Sequence, residues 1–302
     1  MLMLLIVAGS APSIAQSQTV ALTFDDLPAA GTTDPAEAES FNRVILDSLV
    51  KHHAPAIGFV NEKKVLELGS REVLEHWVRR GFDLGNHTFS HADLNNLTPE
   101  QFEQEVISGE ASIALVLAEV NKTPRFLRFP YNHTGDTSAK HDSVAEFLKQ
   151  RGYSVATCTI DNEDFLFNEA YLRMLARKDN ESGEKLRAEY LAYTAAEIDY
   201  YTGLHKLIFG RPIPHVMLFH VNRLNADLMN QLLDIFEAKH YRFVSLGTAQ
   251  SDAAYHTPDT FTTRDGWMWG YRWAKERGVK VDGSLESEPP EWIAQYVTAA
   301  EK

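Results

Sequence analysis

Short, nearly continuous apolar runs alternate along this chain with longer stretches in which apolar residues recur every three or four positions. The runs at 19–24, 56–60, 82–85, 126–129, 153–159, 216–219 and 242–245 predict strands buried on both faces. Between them the spacing predicts helices. One opens at Asp34-Pro35 with Phe41, Ile45 and Leu49 on its inner side, and one is capped by Ser70 and closed by Gly81. A long helix spans 98–120 from a Thr98…Gln101 capping box with Pro99 at its first position. Two more cover 142–151, stopped by Gly152, and 226–238. Such alternation calls for parallel strands joined by crossover helices. Six or seven units in about 230 residues predict an α/β fold of the distorted (β/α)7-barrel type.

Two segments break the rhythm. Residues 166–214 are too long for one crossover and read as a helical insertion. Residues 251–302, rich in Trp and Tyr, predict an extension that wraps back onto the body at 16–250. Residues 1–15, an apolar run followed by Ser13-Ile14-Ala15, read as a signal peptide, which points to a secreted or periplasmic protein. No later segment reads as membrane-spanning.

Charge and cysteine content narrow the partners. The formal net charge of −13 disfavours nucleic acid and anionic membrane surfaces and suits a neutral or cationic substrate. Cys158 is the single cysteine, so neither an intrachain disulfide nor a cysteine-rich metal site is available.

The unusual polar clusters all follow strands: Asp25-Asp26, His87 and His91, Arg128 to Tyr131, Asp161 to Asp164, and His220. In parallel α/β folds those strand ends share one rim, where ligands bind. His87 and His91, four residues apart after Gly85-Asn86, can bring two imidazoles to one divalent ion from a loop or short turn. His133, His141, His205 and His215 read as solvated or structural.

In these clusters the chain resembles the polysaccharide deacetylases, the NodB-homology group of carbohydrate esterases. The matching stretches are Thr23-Phe24-Asp25-Asp26, His87-Thr88-Phe89-Ser90-His91, Arg128-Phe129-Pro130-Tyr131, Asp161-Asn162-Glu163-Asp164-Phe165 and Leu218-Phe219-His220, within 19–246. The resemblance implies that Asp26, His87 and His91 hold a divalent metal, Zn2+ first and Co2+ or Ni2+ next, with a position open for water. It implies that metal-bound water attacks an acetyl carbonyl, with Asp25 as general base. Arg128 would keep Asp25 ionised and oriented through a charge-assisted pair. The Tyr131 main-chain N–H would help bind the oxyanion, and Leu218 would line the acetyl pocket. His220 would protonate the leaving group, oriented by Asp161, with Asp164 as rival for that place.

The implied substrate is an acetylated oligo- or polysaccharide of the N-acetylglucosamine type, such as chitooligosaccharide or peptidoglycan. O-acetyl esters on xylan-like glycans, small cyclic amides, or sugar binding without catalysis are the alternatives. Phe165 stands where the family usually has Trp, and Val221-Asn222-Arg223 replaces the usual acidic or aromatic neighbours of the last histidine. Both departures bear on substrate preference. The insertion, with Phe167, Tyr171, Tyr190, Tyr193, Tyr200 and Tyr201, is expected to shape that preference.

Overall fold

The computed structural model describes residues 18–298; the expected leader at 1–15 lies outside the described residues. Seven strands run parallel in one curled sheet: β1 (Thr19–Leu27), β2 (Ala56–Val60), β3 (Asp83–Asn86), β4 (Phe126–Leu127), β5 (Ser154–Val155), β6 (His215–His220) and β7 (Arg242–Phe243). The order is β5-β4-β3-β2-β1-β6, with β7 also on β1. Past β5, a bridge between Ile160 and Met217 draws the chain against β6 at the far edge, curling the sheet into a distorted (β/α)7-type barrel.

β1 is the centre, and its sequence explains why. Val20, Ala21, Leu22 and Phe24 are buried, as a strand covered on both faces requires. The strand runs three residues beyond the apolar part, through Asp25 and Asp26 to Leu27. Its register against β6 sets Asp25 beside His220. Against β2 the register slips between Phe24 and Leu27, and Asp26 takes φ 66. A bulge of this kind re-aims a side chain, so two adjacent aspartates serve different directions.

The helix expected over 98–120 is two helices, Pro99–Ser108 and Ala111–Ala118. The break follows from packing at Gly109, where a Cβ would lie 2.6 Å from Asn86 Oδ1 and 2.8 Å from the Thr88 carbonyl carbon. The loop after β3 thus sits directly on that glycine. A further helix, Glu62–Leu68, was not expected; Asn61 caps it, accepting from the Lys64 N–H at 3.2 Å.

Residues 166–214 are mostly two helices, Asp164–Arg177 and Asn180–Phe209. Phe167, Tyr171, Tyr190, Tyr193 and Tyr201 are buried, in one hydrophobic cluster with Phe24, Leu218 and Phe219 of the barrel. Trp269 and Trp273, on the helix Trp269–Glu276, join the same cluster. Among the described residues no helix is long and apolar enough to cross a membrane.

Candidate active site

The strand ends converge on a cavity of 560 Å3 lined by Asp25, Asp26, His87, His91, Tyr131, Asp161, Phe165, Leu218 and His220, together with Gly266. Backbone strain gathers here. Asp26, Thr88, His91, Tyr131, Asn132 and Glu163 all have φ between 53° and 67° without being glycine. Such conformations persist only where surroundings enforce them, and they cluster at functional sites.

Asp26, His87 and His91 each offer a ligand atom, all within 4.8 Å of one another. His87 Nε2 lies 3.9 Å and His91 Nε2 3.7 Å from Asp26 Oδ1, an oxygen that is buried with no hydrogen-bond partner. His87 Nδ1 bonds the Arg128 main-chain carbonyl at 2.8 Å, which fixes its proton on Nδ1 and leaves Nε2 as the free lone pair. Burial pushes both imidazoles down to about 4, so they are neutral at neutral pH. Burial would raise the Asp26 pKa, but Lys64, His91 and His87 outweigh it and hold the carboxyl well below its usual range. One ionised carboxylate and two neutral imidazoles, with an unsatisfied oxygen between them, fit a divalent cation of the zinc type. Lys64, 3.1 Å from Asp26 Oδ2, escaped the sequence reading because its helix did.

The loop that carries the histidines is held from three sides. Asn86 Oδ1 accepts the Thr88 N–H at 2.8 Å, while its Nδ2 donates to the Val106 carbonyl at 2.8 Å. Glu105 accepts from both the main-chain N–H and the hydroxyl of Ser90.

Asp25 is buried, and its Oδ1 has no hydrogen-bond partner. Arg128 pairs with Asp25 without a hydrogen bond: Nε stands 3.9 Å from Asp25 Oδ1, and Nη2 donates to Thr23 Oγ1 at 2.8 Å. Arg128 also lies over the Phe59 ring, 5.2 Å from its centroid, which sets the guanidinium back from the carboxylate. Its action on Asp25 is therefore field-like. Burial raises the Asp25 pKa, and the Arg128 charge opposes that rise.

The partner of His220 differs from expectation. His220 Nδ1 bonds Asp164 Oδ1 at 2.6 Å, and the His220 main-chain N–H donates to Asp164 Oδ2 at 2.7 Å. Asp161 instead accepts the Glu163 N–H at 3.0 Å, a local turn bond. Asp164 opens its helix, and its carboxylate also accepts from Asn222 and Asn225. Burial would lower the His220 pKa, but Asp164 outweighs it and lifts the group to about 10. Asp161, still lining the cavity, is pushed up to about 6 by burial and by Asp164.

Tyr131 presents a turn whose hydrogen bonds run from Asn132 N–H to the Phe129 carbonyl and from His133 N–H to the Pro130 carbonyl. The Tyr131 N–H takes no part in that turn's bonding, and its ring packs on His91 at 4.6 Å. Phe165 is 55% exposed and stands edge-on to His220 at 6.5 Å, an accessible apolar wall. His205 and His215 lie elsewhere, buried with ring centroids 5.1 Å apart. His133 pairs with Asp93 at 2.8 Å, and His141 with Asp142 and Asp259.

Residues 14–156 match the polysaccharide deacetylase family model. Over that stretch the chain is similar to the polysaccharide deacetylases. It is 32% identical over 118 residues to a chitooligosaccharide deacetylase of Bradyrhizobium sp., covering 39% of this chain and 48% of that one. It is 27% identical over 148 residues to a chitin deacetylase of Arthroderma benhamiae, covering 49% of this chain and 35% of that one. The chain thus spans less than half the length of these two curated relatives. Among solved structures, a family 4 carbohydrate esterase pseudoenzyme from Bacillus anthracis superposes with TM-score 0.54 at 14% identity, covering 78% of this chain and 66% of that one. The fold is therefore shared with a protein described as a pseudoenzyme, so the fold by itself does not carry an activity.

Proposed function

We propose that this chain is a metal-dependent deacetylase of an N-acetylglucosamine-type glycan such as chitooligosaccharide or peptidoglycan. The observation that carries the reading is the juxtaposition of Asp26, His87 and His91 with the unpartnered Asp25 carboxylate and His220 in one cavity. A pure sugar binder has no use for all three elements.

Asp26, His87 and His91 would hold the ion, with Zn2+ favoured over Co2+ or Ni2+ and bound through one oxygen and two Nε2 atoms. When bound, the ion supplies a Lewis acid that acidifies water and polarises the acetyl carbonyl. Asp25 is the general base: its burial raises its proton affinity toward what such a role needs. The Arg128 charge opposes that rise and favours the ionised carboxylate. As water oxygen bonds to the acetyl carbon, the Tyr131 N–H donates to the oxyanion. The carbon–nitrogen bond then breaks, and His220 delivers its Nε2 proton to the departing amine. Asp164 holds the opposite ring nitrogen and keeps the imidazolium charged. Leu218, a buried residue of the cavity lining, packs against the acetyl methyl. Acetate and a free amino sugar are the products.

Export to the periplasm or cell exterior would bring the enzyme to such glycans, and the acidic charge suits a product that gains an ammonium group. The test is a substrate panel: metal-loaded protein is incubated with acetylated chitooligosaccharides, peptidoglycan and acetylated xylooligosaccharides, and acetate is assayed. Release from the first two and little from the third is expected. Release from xylan fragments alone would assign an ester substrate. Sugar binding without acetate would contradict the reading.

A further inference from the structure

The turn that carries Tyr131 is held from outside the family-matched segment. Tyr131 and Asn132 are consecutive residues in the left-handed region, at φ 59 and 54, and both line the catalytic cavity. Two such residues in a row need external restraint. Besides the two bonds within the turn, His133 pairs with Asp93 at 2.8 Å.

Further restraint comes from the C-terminal extension, which holds the main chain of the turn. Arg272, 1% exposed on the helix Trp269–Glu276, donates through Nη2 to the Asn132 carbonyl at 2.7 Å and through Nη1 to Thr134 Oγ1 at 2.7 Å. Its Nε reaches the Trp267 carbonyl at 3.0 Å, and Nη1 also reaches Asp259 Oδ2 at 3.1 Å. The guanidinium lies over the Trp269 ring, 4.5 Å from its centroid, so its plane is fixed as well as its bonds. One buried cation thus ties the 132–134 backbone to the extension at Trp267.

The second contact is steric. A Cβ on Gly266 would lie 2.0 Å from the Tyr131 carbonyl oxygen, so the extension's backbone rests directly on the peptide that follows Tyr131. Gly266 itself lines the catalytic cavity. Upstream, the Arg264 carbonyl accepts from Asn95 Nδ2 at 2.9 Å, which joins the same strap to the segment after His91.

We propose that Arg272 is a positioning residue of the reaction: with Gly266 it clamps the 130–134 turn so that the Tyr131 N–H is held ready for the oxyanion. This rests on the reading of Tyr131 as the oxyanion donor. The clamp acts on the transition state more than on the bound ground state, because the developing negative oxygen depends most on a fixed N–H. Lysine cannot replace arginine fully, since one ammonium cannot span the Asn132 carbonyl and Thr134 hydroxyl in the same plane.

The test compares parent, Arg272→Met, Arg272→Lys and Gly266→Ala, with Tyr271→Phe as control. Tyr271 lies on the same helix but bonds Tyr200 and Glu286, away from the turn. Each protein is assayed for kcat and KM on acetylated chitooligosaccharide, for bound metal, and for amide hydrogen exchange in peptides covering 126–136. Arg272→Met and Gly266→Ala should lower kcat by roughly ten- to a hundredfold, the scale of a slightly misplaced catalytic group, with metal retained and KM little changed. Exchange should rise in the 126–136 peptides, Arg272→Lys should fall between parent and Met, and Tyr271→Phe should match the parent. If Arg272→Met fails to fold, Gly266→Ala and Arg272→Lys carry the comparison. A loosened turn with parental kcat, a KM effect alone, or unchanged exchange would overturn the proposal. A parent that releases no acetate would instead overturn the reading of Tyr131, and this role with it.

Discussion

Asp164 grips His220 twice, taking the imidazole Nδ1 on one carboxylate oxygen at 2.6 Å and the main-chain N–H on the other at 2.7 Å. Each carboxylate oxygen thus holds His220, with Oδ2 shared by Asn222 and Asn225, and the ring is fixed through Nδ1, leaving Nε2 for the cavity that His220 lines. If His220 is the acid, the two side chains act as a unit. Ala substitutions at Asp164 and His220 should each depress kcat strongly and be far from additive together. Asp161→Ala should combine additively with His220→Ala. Steady-state kinetics of the three singles and two doubles checks this; a strong coupling of Asp161 to His220 would reverse the assignment.

The same pair makes a pH prediction. Burial alone would lower the His220 pKa, yet Asp164 raises it to about 10 from the ordinary 6.5. A group with a raised folded pKa contributes stability that is fully present below its unfolded pKa. Here that contribution should hold below about pH 6.5 and disappear as pH rises through about 10. The stability gap between parent and His220→Gln, from denaturant midpoints across that window, should therefore shrink with rising pH. In Asp164→Asn the His220 ring resonances should titrate at markedly lower pH. A gap that widens on the alkaline side would contradict the electrostatics described.

The two adjacent aspartates should separate by experiment. Asp25→Asn should retain stoichiometric metal and lose about a hundredfold or more in kcat, the scale of a missing general base. Asp26→Asn should lower metal affinity, since it removes the single anionic member of the ligand group. Metal titration by calorimetry beside kinetics distinguishes them. Equal loss of metal in both variants would contradict a division of labour set by the bulge at Asp26.

Gly109 offers a stability test of the loop that carries the histidines. Replacing a helix-terminal glycine by alanine ordinarily stabilises by about 0.4–1 kcal/mol when the site accommodates it. Here the added Cβ would press on Asn86 Oδ1 at 2.6 Å and on the Thr88 backbone. Gly109→Ala should lower the melting temperature and weaken metal binding together. A more stable variant with unchanged metal affinity would show that the contact is compliant.

Much of the barrel was legible because its strands are apolar on both faces. Such runs as 19–24 and 56–60 stand out whatever packs against them. The rim clusters were legible for the same reason, each lying where an apolar run ends in charge. What escaped depended on tertiary contact. The break at Gly109 answers a loop from elsewhere in the chain, and no local signal forecasts it. The choice of Asp164 over Asp161 turns on a helix start and a local turn bond that identical residue types cannot distinguish in sequence. The helix Glu62–Leu68 did have a signal, Asn61 as its cap, and with it Lys64 beside Asp26 would have been placed near the ligand group.

The insertion was expected to shape substrate preference; Tyr190, Tyr193 and Tyr201 are buried in the shared core, and no residue of Asn180–Phe209 lines the catalytic cavity. The extension, read from its aromatics as packing material, supplies Gly266 to the cavity and Arg272 to its turn. An arginine among tryptophans carries no sequence mark that separates a clamp from a core ion pair.

The proposed reaction requires that Asp26, His87 and His91 hold a divalent ion on which hydrolysis depends. Elemental analysis and acetate release should be measured on one preparation as purified, after chelation, and after reloading with Zn2+, Co2+ or Ni2+, alongside His87→Ala. One ion per chain is expected, with activity lost with that ion and regained on reloading, and neither ion nor activity in His87→Ala. Undiminished acetate release from protein shown to be metal-free would contradict it.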